Sequence, residues 1–156
     1  MDFDYPLDIG FACNNCGICC GDTLKKTRRV LLLNSDAERI ASHTKKAISE
    51  FAVKLEKNSP YVYEIKKKPK NGKCLFHQNN HCSIYPHRPL ICKFYPFKLS
   101  ADENGKYMFK VTIECPGVFC LDTLKGGEIL GTHYFRGLFV LAHAALGSVA
   151  DFSNGS

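Results

Sequence analysis

The chain has 156 residues, of which 45% are hydrophobic and nine are cysteines. This length is typical of one domain that buries a core, and the composition excludes an intrinsically disordered chain. The acidic N-terminal segment at residues 1–8 has no apolar stretch, so it is not a secretory signal, and no apolar run is long enough to span a bilayer. We therefore expect a cytoplasmic chain, whose thiols stay reduced and bind metal rather than form disulfides.

Four of the nine thiols lie within eight residues, at Cys13, Cys16, Cys19 and Cys20. Thiolates suit zinc, copper(I) or iron–sulfur iron far better than magnesium or calcium. The two-residue spacing of the first three cysteines is that of bacterial ferredoxins, in which a fourth cluster ligand is often a Cys followed by Pro. Cys115-Pro116 is such a pair. The pattern predicts a metal centre.

Cys19 and Cys20 are adjacent, so we expect their side chains to diverge, as neighbours do on a strand or a helix. We infer that they serve different centres, or that one of them is not a ligand. Eight of the nine cysteines would fill two four-thiolate sites. Because each such site carries about −2, two sites would reduce the formal charge of +6 to about +2. The basic balance is therefore a weak argument for nucleic acid.

The first half of the chain predicts an extended segment, a helix and a basic loop. Alternating apolar residues over 3–11 favour a strand, and Arg28–Leu33 reads as a second, buried strand. Ser35 and Glu38 form a capping box, which predicts a helix from about Asp36 to Lys57. A strand at 61–65 precedes the lysine-rich run 66–73, which we interpret as a solvated loop, with a patch for nucleic acid or an acidic partner as the alternative.

A second dense region, residues 74–97, contains Cys74, Cys82 and Cys92 together with three prolines and a turn at Asn79-Asn80. Its stiffness suits a metal site, because ligands on a rigid loop lose little entropy on binding. Arg88 is the best candidate to donate to backbone carbonyls or thiolates, and an ordinary surface arginine is the alternative. We interpret His77, His81 and His87 as hydrogen-bonded loop histidines, because eight cysteines already saturate two sites.

The last third predicts a hairpin and a second main helix. Residues 97–100 and 106–113 flank Asp102-Glu103-Asn104-Gly105, which is a hairpin signal. The helix is expected from about Glu128 to Val149, with an apolar second half that is buried or forms a subunit contact. We thus predict an α+β fold: a small single domain over residues 1–156, with irregular Cys-rich metal-binding loops, a short antiparallel sheet or hairpin, and two main helices.

Taken together, these motifs resemble the YkgJ-type cysteine-cluster family, whose members are described as zinc- or iron-chelating domains or Fe–S-cluster-containing proteins. The CxxCxxCC signature corresponds to Cys13–Cys20. The second signature, ending in IYxxRPxxC(R/K)x(F/Y)P, corresponds to residues 84–96, with Lys93 where arginine is more usual. The third, CPG, begins at Cys115, and the resemblance covers about residues 11–130. It implies a metal-binding role for eight cysteines: Cys13, Cys16, Cys19, Cys20, Cys74, Cys82, Cys92 and Cys115. Cys120 lies outside the pattern and is treated as the spare thiol.

Three functions remain open from the sequence. The first is an iron–sulfur protein, with a cluster of the 4Fe-4S type and a redox or electron-transfer role. The second is a zinc-stabilised structural or interaction module without catalysis, since closed four-thiolate zinc sites are structural. The third is an accessory subunit of a modifying enzyme, because some family members lie within larger chains that resemble flagellin lysine methylases. Each function implies a protein partner, and the sequence leaves enzymatic activity open.

Overall fold

The computed structural model of the chain describes residues 3–57, 60–120 and 130–146. Its contacts divide the chain into two compact units. The first contains the described residues 3–16, 94–120 and 130–146, and the second contains 17–57 and 60–93. The predicted α+β class is confirmed, with two longer helices and small sheets. The single domain over residues 1–156 stays a prediction.

Two helices have 11 and 15 residues, and every other helix or strand that the structure describes has at most five. In chain order they are β1 (Phe3–Asp4), β2 (Ile9–Phe11), β3 (Leu31–Leu32), α1 (Asn34–Thr44), α2 (Ile48–Phe51), β4 (Ala52–Lys54), β5 (Tyr63–Ile65), β6 (His77–Gln78), β7 (His81–Cys82), α3 (Leu90–Phe94), β8 (Phe97–Ala101), β9 (Tyr107–Val111), β10 (Val118–Cys120) and α4 (Thr132–Leu146). Each helix that the structure describes is too short or too polar to cross a lipid bilayer.

The first unit contains the predicted hairpin. β8 and β9 pair antiparallel, and β1 lies parallel to β9 on the other side. The turn between β8 and β9 contains Gly105 at φ +77°, a left-handed conformation that glycine adopts without steric cost. The Asp102 carboxylate accepts the backbone N–H groups of Asn104 and Lys106, each at 2.8 Å. The hairpin is therefore fixed locally by the residues that predicted it.

An aromatic core joins this sheet to α4. The Phe135 ring is fully buried, and its centroid lies 5.0 Å from those of both Phe97 and Phe109. Burial of a phenylalanine side chain contributes about 1.5–3 kcal/mol. The opposite face of α4 leaves Val140 and Leu141 exposed. The predicted limits of this helix, Glu128 and Val149, lie outside the described residues.

In the second unit the predicted helix from Asp36 to Lys57 is wrong in its second half. α1 ends at Thr44, and Lys45 follows in a left-handed conformation at φ +58°. After the single turn of α2, the chain pairs as β4 with β5, and β5 pairs with β3. Phe51, the last residue of α2, is fully buried immediately before β4. Strand pairing and burial thus override a helical pattern.

The start of α1 also differs from the predicted Ser35–Glu38 capping box. The helix begins at Asn34, two residues before the predicted start, and the Asp36 carboxylate accepts the backbone N–H of Leu33 at 3.3 Å. Asp36 is buried, and it also accepts the N–H of Leu90 at 3.3 Å and a guanidinium N–H of Arg39 at 2.6 Å. One carboxylate therefore connects the start of α1 to the start of α3.

Candidate metal centre

None of the eight cysteines predicted as ligands is in a disulfide bond in the part of the chain that the structure describes. Cys74 and Cys115 are buried, whereas Cys13 and Cys16 are exposed. The others are partly buried, namely Cys19, Cys20, Cys82 and Cys92. The side chain of Cys120 lies outside the part of the chain that the structure describes.

In the first unit, the β2–β10 pair brings two of the signatures together. Phe11 lies opposite Val118, and the N–H of Ala12 donates to the carbonyl of Gly117 at 2.9 Å. A Cβ on Gly117 would lie 2.4 Å from the Ala12 oxygen, so only glycine permits this approach. Cys13 and Cys115-Pro116 therefore leave the same end of one strand pair.

In the second unit, backbone hydrogen bonds connect three more of the predicted ligands. The N–H of Cys74 donates to the carbonyl of Cys20 at 2.5 Å, and the N–H of His77 donates to the carbonyl of Cys74 at 2.9 Å. His77 in turn lies opposite Cys82 in the β6–β7 hairpin. The predicted turn at Asn79-Asn80 closes this hairpin, with both residues at positive φ. Cys20, Cys74 and Cys82 thus occupy one small region.

The expected divergence of Cys19 and Cys20 is wrong. Both lie in a 3-10 turn over Ile18–Cys20, and their Sγ atoms are 3.8 Å apart. Four sulfurs at about 2.3 Å from one metal, at tetrahedral angles, are separated from each other by about 3.8 Å. The two adjacent thiols can therefore bind one metal ion. The expectation that neighbouring side chains point apart had assigned them to different centres.

The thiols of this region also influence each other electrostatically. The pKa of Cys74 is raised to about 11, chiefly by burial and also by the negative charges of Cys82 and Cys19. Burial is also the main cause of the raised pKa of Cys92, with the charges of Cys74, Cys19 and Cys82 adding to it. The pKa of Cys19 is raised chiefly by its contact with the Cys20 thiol. Binding of a metal must displace these protons, so its affinity rises with pH.

Among residues 3–57, 60–120 and 130–146, no three Cys, His, Asp or Glu side chains converge closely enough to hold one ion. Cys20, Cys74 and Cys82, which backbone contacts bring into one region, nevertheless carry thiols, which are the soft donors that zinc and iron bind. Ligation by more than two of these side chains requires them to move closer together.

Lysines of the basic run bind within the second unit, which neither interpretation of that run anticipated. The Lys73 Nζ donates to the carbonyl of Gly17 at 2.8 Å, and Lys68 Nζ donates to the carbonyl of His77. Lys67 pairs with Asp22 at 2.7 Å, and Lys66 donates to the carbonyl of Ser49 at 2.6 Å. Two of these contacts attach the run directly to the Cys-rich segments.

We expect Lys73→Met to destabilise the second unit by about 1 kcal/mol, because a hydrogen bond from a charged, partly exposed donor is lost. Methionine keeps the length of the stem. The matched control is Lys70→Met, which removes the same charge from an exposed position of the same run. Urea unfolding of both variants measures the difference, and equal stability of the two would contradict the role of the Lys73 contact.

The remaining polar candidates differ in their surroundings. The Nδ1 of His81 lies 3.1 Å from the carbonyl of Asn79, so this histidine is hydrogen-bonded within its loop as predicted. The ring of His87 stacks on that of His43, with centroids 3.9 Å apart. Arg88 donates to the carbonyl of Tyr85 at 2.9 Å, and its charge lowers the pKa of Cys82 against the larger effect of burial.

His77 differs from its interpretation as a hydrogen-bonded loop histidine. Its Nε2 is buried and has no hydrogen-bond partner, and burial lowers its pKa. A Cβ on Gly17 would lie 2.6 Å from this nitrogen. Because Gly17 has no side chain, it leaves space for the imidazole of His77, which lies 60 residues further along the chain. No pattern in the sequence indicates this contact.

Comparison with known proteins agrees with these motifs. The CxxCxxCC family, described as a putative zinc- or iron-chelating domain, matches residues 12–116. The chain is 32% identical over 110 residues to the uncharacterized protein MJ0661 of Methanocaldococcus jannaschii. That alignment covers 68% of this chain and 55% of the relative, so the chain spans about half of the relative's length. No solved structure matches the chain.

Proposed function

Because the chain belongs to the CxxCxxCC family, whose description supports binding of zinc or iron, we propose that its cysteines hold an iron–sulfur cluster of the 4Fe-4S type with a redox or electron-transfer role. The observation that carries this proposal is the set of backbone bonds that brings Cys20, Cys74 and Cys82 together in one unit. A cluster bound by these thiols supplies one-electron chemistry.

The spacing of the cysteines supports iron–sulfur over zinc. Zinc sites usually consist of two separated cysteine pairs, whereas this chain has a triplet followed by a doublet. The remote Cys115-Pro116 has the form of a ferredoxin's final ligand, and its Cys115 is buried. Cys13, Cys16, Cys19 and Cys20 are the proposed ligands of the first signature, and Cys74, Cys82, Cys92 and Cys115 those of the others.

The protein's own residues would tune such a centre. Lys68 and Lys73 bring positive charge to the carbonyls of His77 and Gly17, next to a donor set that becomes negative on binding metal. Burial of Cys74 lowers the local dielectric constant and excludes solvent, and both factors set the potential of a bound cluster. We propose a protein as the electron donor or acceptor and the reducing cytoplasm as the compartment.

A zinc-stabilised module is the second candidate, and the Cys19–Cys20 geometry favours it. The Sγ separation of 3.8 Å is that of two thiolates on one tetrahedral ion. Such a centre would stabilise the fold and present a surface to a partner, either alone or as an accessory subunit of a modifying enzyme.

Reversible reduction separates the two candidates. Protein purified and kept without oxygen is treated with dithionite and then reoxidised, while its absorption and electron paramagnetic resonance spectra are recorded. We expect visible absorption that bleaches on reduction and returns on oxidation, with a paramagnetic signal in one state. Metal-loaded protein that stays spectroscopically silent through the cycle would exclude the redox role and favour the zinc module.

A further inference from the structure

One imidazole nitrogen of the second unit, the Nε2 of His77, lies against Gly17 of the CxxCxxCC segment. The Nε2 of His77 is buried and makes no hydrogen bond within the part of the chain that the structure describes. A buried polar atom in this state costs free energy, so native proteins rarely retain one unless water, an ion or a ligand satisfies it. The Nε2 of His77 is therefore available for a hydrogen bond to a bound group.

The position of His77 is fixed from several sides. Its backbone N–H donates to the carbonyl of Cys74, and it lies opposite Cys82 in the hairpin. Its carbonyl accepts the Nζ of Lys68. The missing side chain of Gly17, at φ +72°, leaves the space in which Nε2 lies. The backbone of His77 is thus held by contacts on several sides, and its Nε2 lies against Gly17, which precedes Cys19 and Cys20.

We propose that the Nε2–H of His77 donates a hydrogen bond to a cysteine sulfur that binds the metal. This inference rests on the metal binding proposed above. A donor is favoured over a ligand because the unit already contains five thiols: Cys19, Cys20, Cys74, Cys82 and Cys92. Hydrogen bonds to ligand sulfurs stabilise the thiolate and set the potential of an iron–sulfur cluster.

Cobalt(II) binding to the protein of 156 residues tests this role. Its affinity is measured by competition with a chromophoric chelator, and the thiolate-to-cobalt absorption band reports the sulfur environment. His77→Phe keeps a planar ring but removes the donor, so we expect affinity to fall about 10- to 100-fold. The absorption band should shift, while the ratio of cobalt to protein stays unchanged.

Two variants serve as controls. His77→Gln keeps an N–H donor and should recover part of the affinity and of the band position. His81→Phe makes the same change at the exposed histidine of the same hairpin, and it should bind cobalt as the unmodified protein does. If circular dichroism shows that His77→Phe does not fold, the comparison of His77→Gln with His77→Met, which is similar in length but has no donor, replaces it.

Each outcome is decisive. Unchanged affinity and absorption in His77→Phe, or equal affinity of the Gln and Met variants, would overturn the hydrogen bond. A reduced cobalt-to-protein ratio in His77→Phe that His77→Cys restores would instead make His77 a ligand, which also overturns the donor role. Failure of the unmodified protein to bind cobalt would overturn the proposed metal binding itself, and this is distinct from both other results.

Discussion

Replacement of Cys74 by serine is expected to remove the metal from the centre that this cysteine serves. Cys74 is buried, and its backbone N–H contacts the carbonyl of Cys20. A serine hydroxyl stays protonated at neutral pH and is a hard donor, so it does not replace a thiolate. Binding of structural zinc contributes about 10–16 kcal/mol in small domains that fold with their metal, so the loss should also lower the melting temperature sharply.

The matched control is Cys120→Ser. Cys120 lies outside the eight positions of the family pattern, and we expect its substitution to leave the metal-to-protein ratio unchanged. The two variants are compared by elemental analysis of protein purified without oxygen and by thermal unfolding with and without a chelator. Full metal content in Cys74→Ser would contradict its role as a ligand, and metal loss in Cys120→Ser would show that the wrong thiol was taken as the spare.

We expect the second large effect from Asp36→Ala, through stability rather than metal binding. The substitution leaves the backbone N–H groups of Leu33 and Leu90 without their acceptor and removes the partner of Arg39. Loss of one member of a buried ion pair costs about 3–5 kcal/mol, and the lower end applies because the Arg39 side chain is 35% exposed and can be hydrated. The expected loss in free energy of unfolding is thus about 3 kcal/mol.

Glu38→Ala is the control for this prediction. Glu38 lies two positions further along the same helix, is exposed, and accepts a hydrogen bond from Asn34 at 2.7 Å. Its substitution should cost less than about 0.5 kcal/mol. Urea unfolding at pH 7 compares the two variants, and similar midpoints would mean that the buried carboxylate does not stabilise the start of α1.

Local signals in the sequence were sufficient to predict the turns of the two hairpins. The run from Asp102 to Gly105 predicted the β8–β9 turn, and Asn79-Asn80 predicted the turn between β6 and β7. In each case the turn residues adopt positive φ or bind their own backbone, so the information lies within four residues. The motifs of the cysteine segments likewise predicted the family.

Contacts between segments that are distant along the chain could not be predicted from the sequence. The helical pattern after Thr44 is overridden because residues 52–54 gain a strand partner in β5. The acidic residue that caps α1 was misassigned because Asp36 also binds the N–H of Leu90, 54 residues away. The pairing of Lys73 with Gly17 and the approach of His77 to the same glycine depend on the folded chain in the same way.

We propose that these cysteines hold an iron–sulfur cluster. The most direct test is the content of iron, zinc and acid-labile sulfide, measured together with the absorption spectrum on protein purified without oxygen. We expect a brown protein with about four irons and matching sulfide for each centre. Colourless protein that contains neither iron nor sulfide would contradict the claim, and stoichiometric zinc in that protein would establish the structural module in its place.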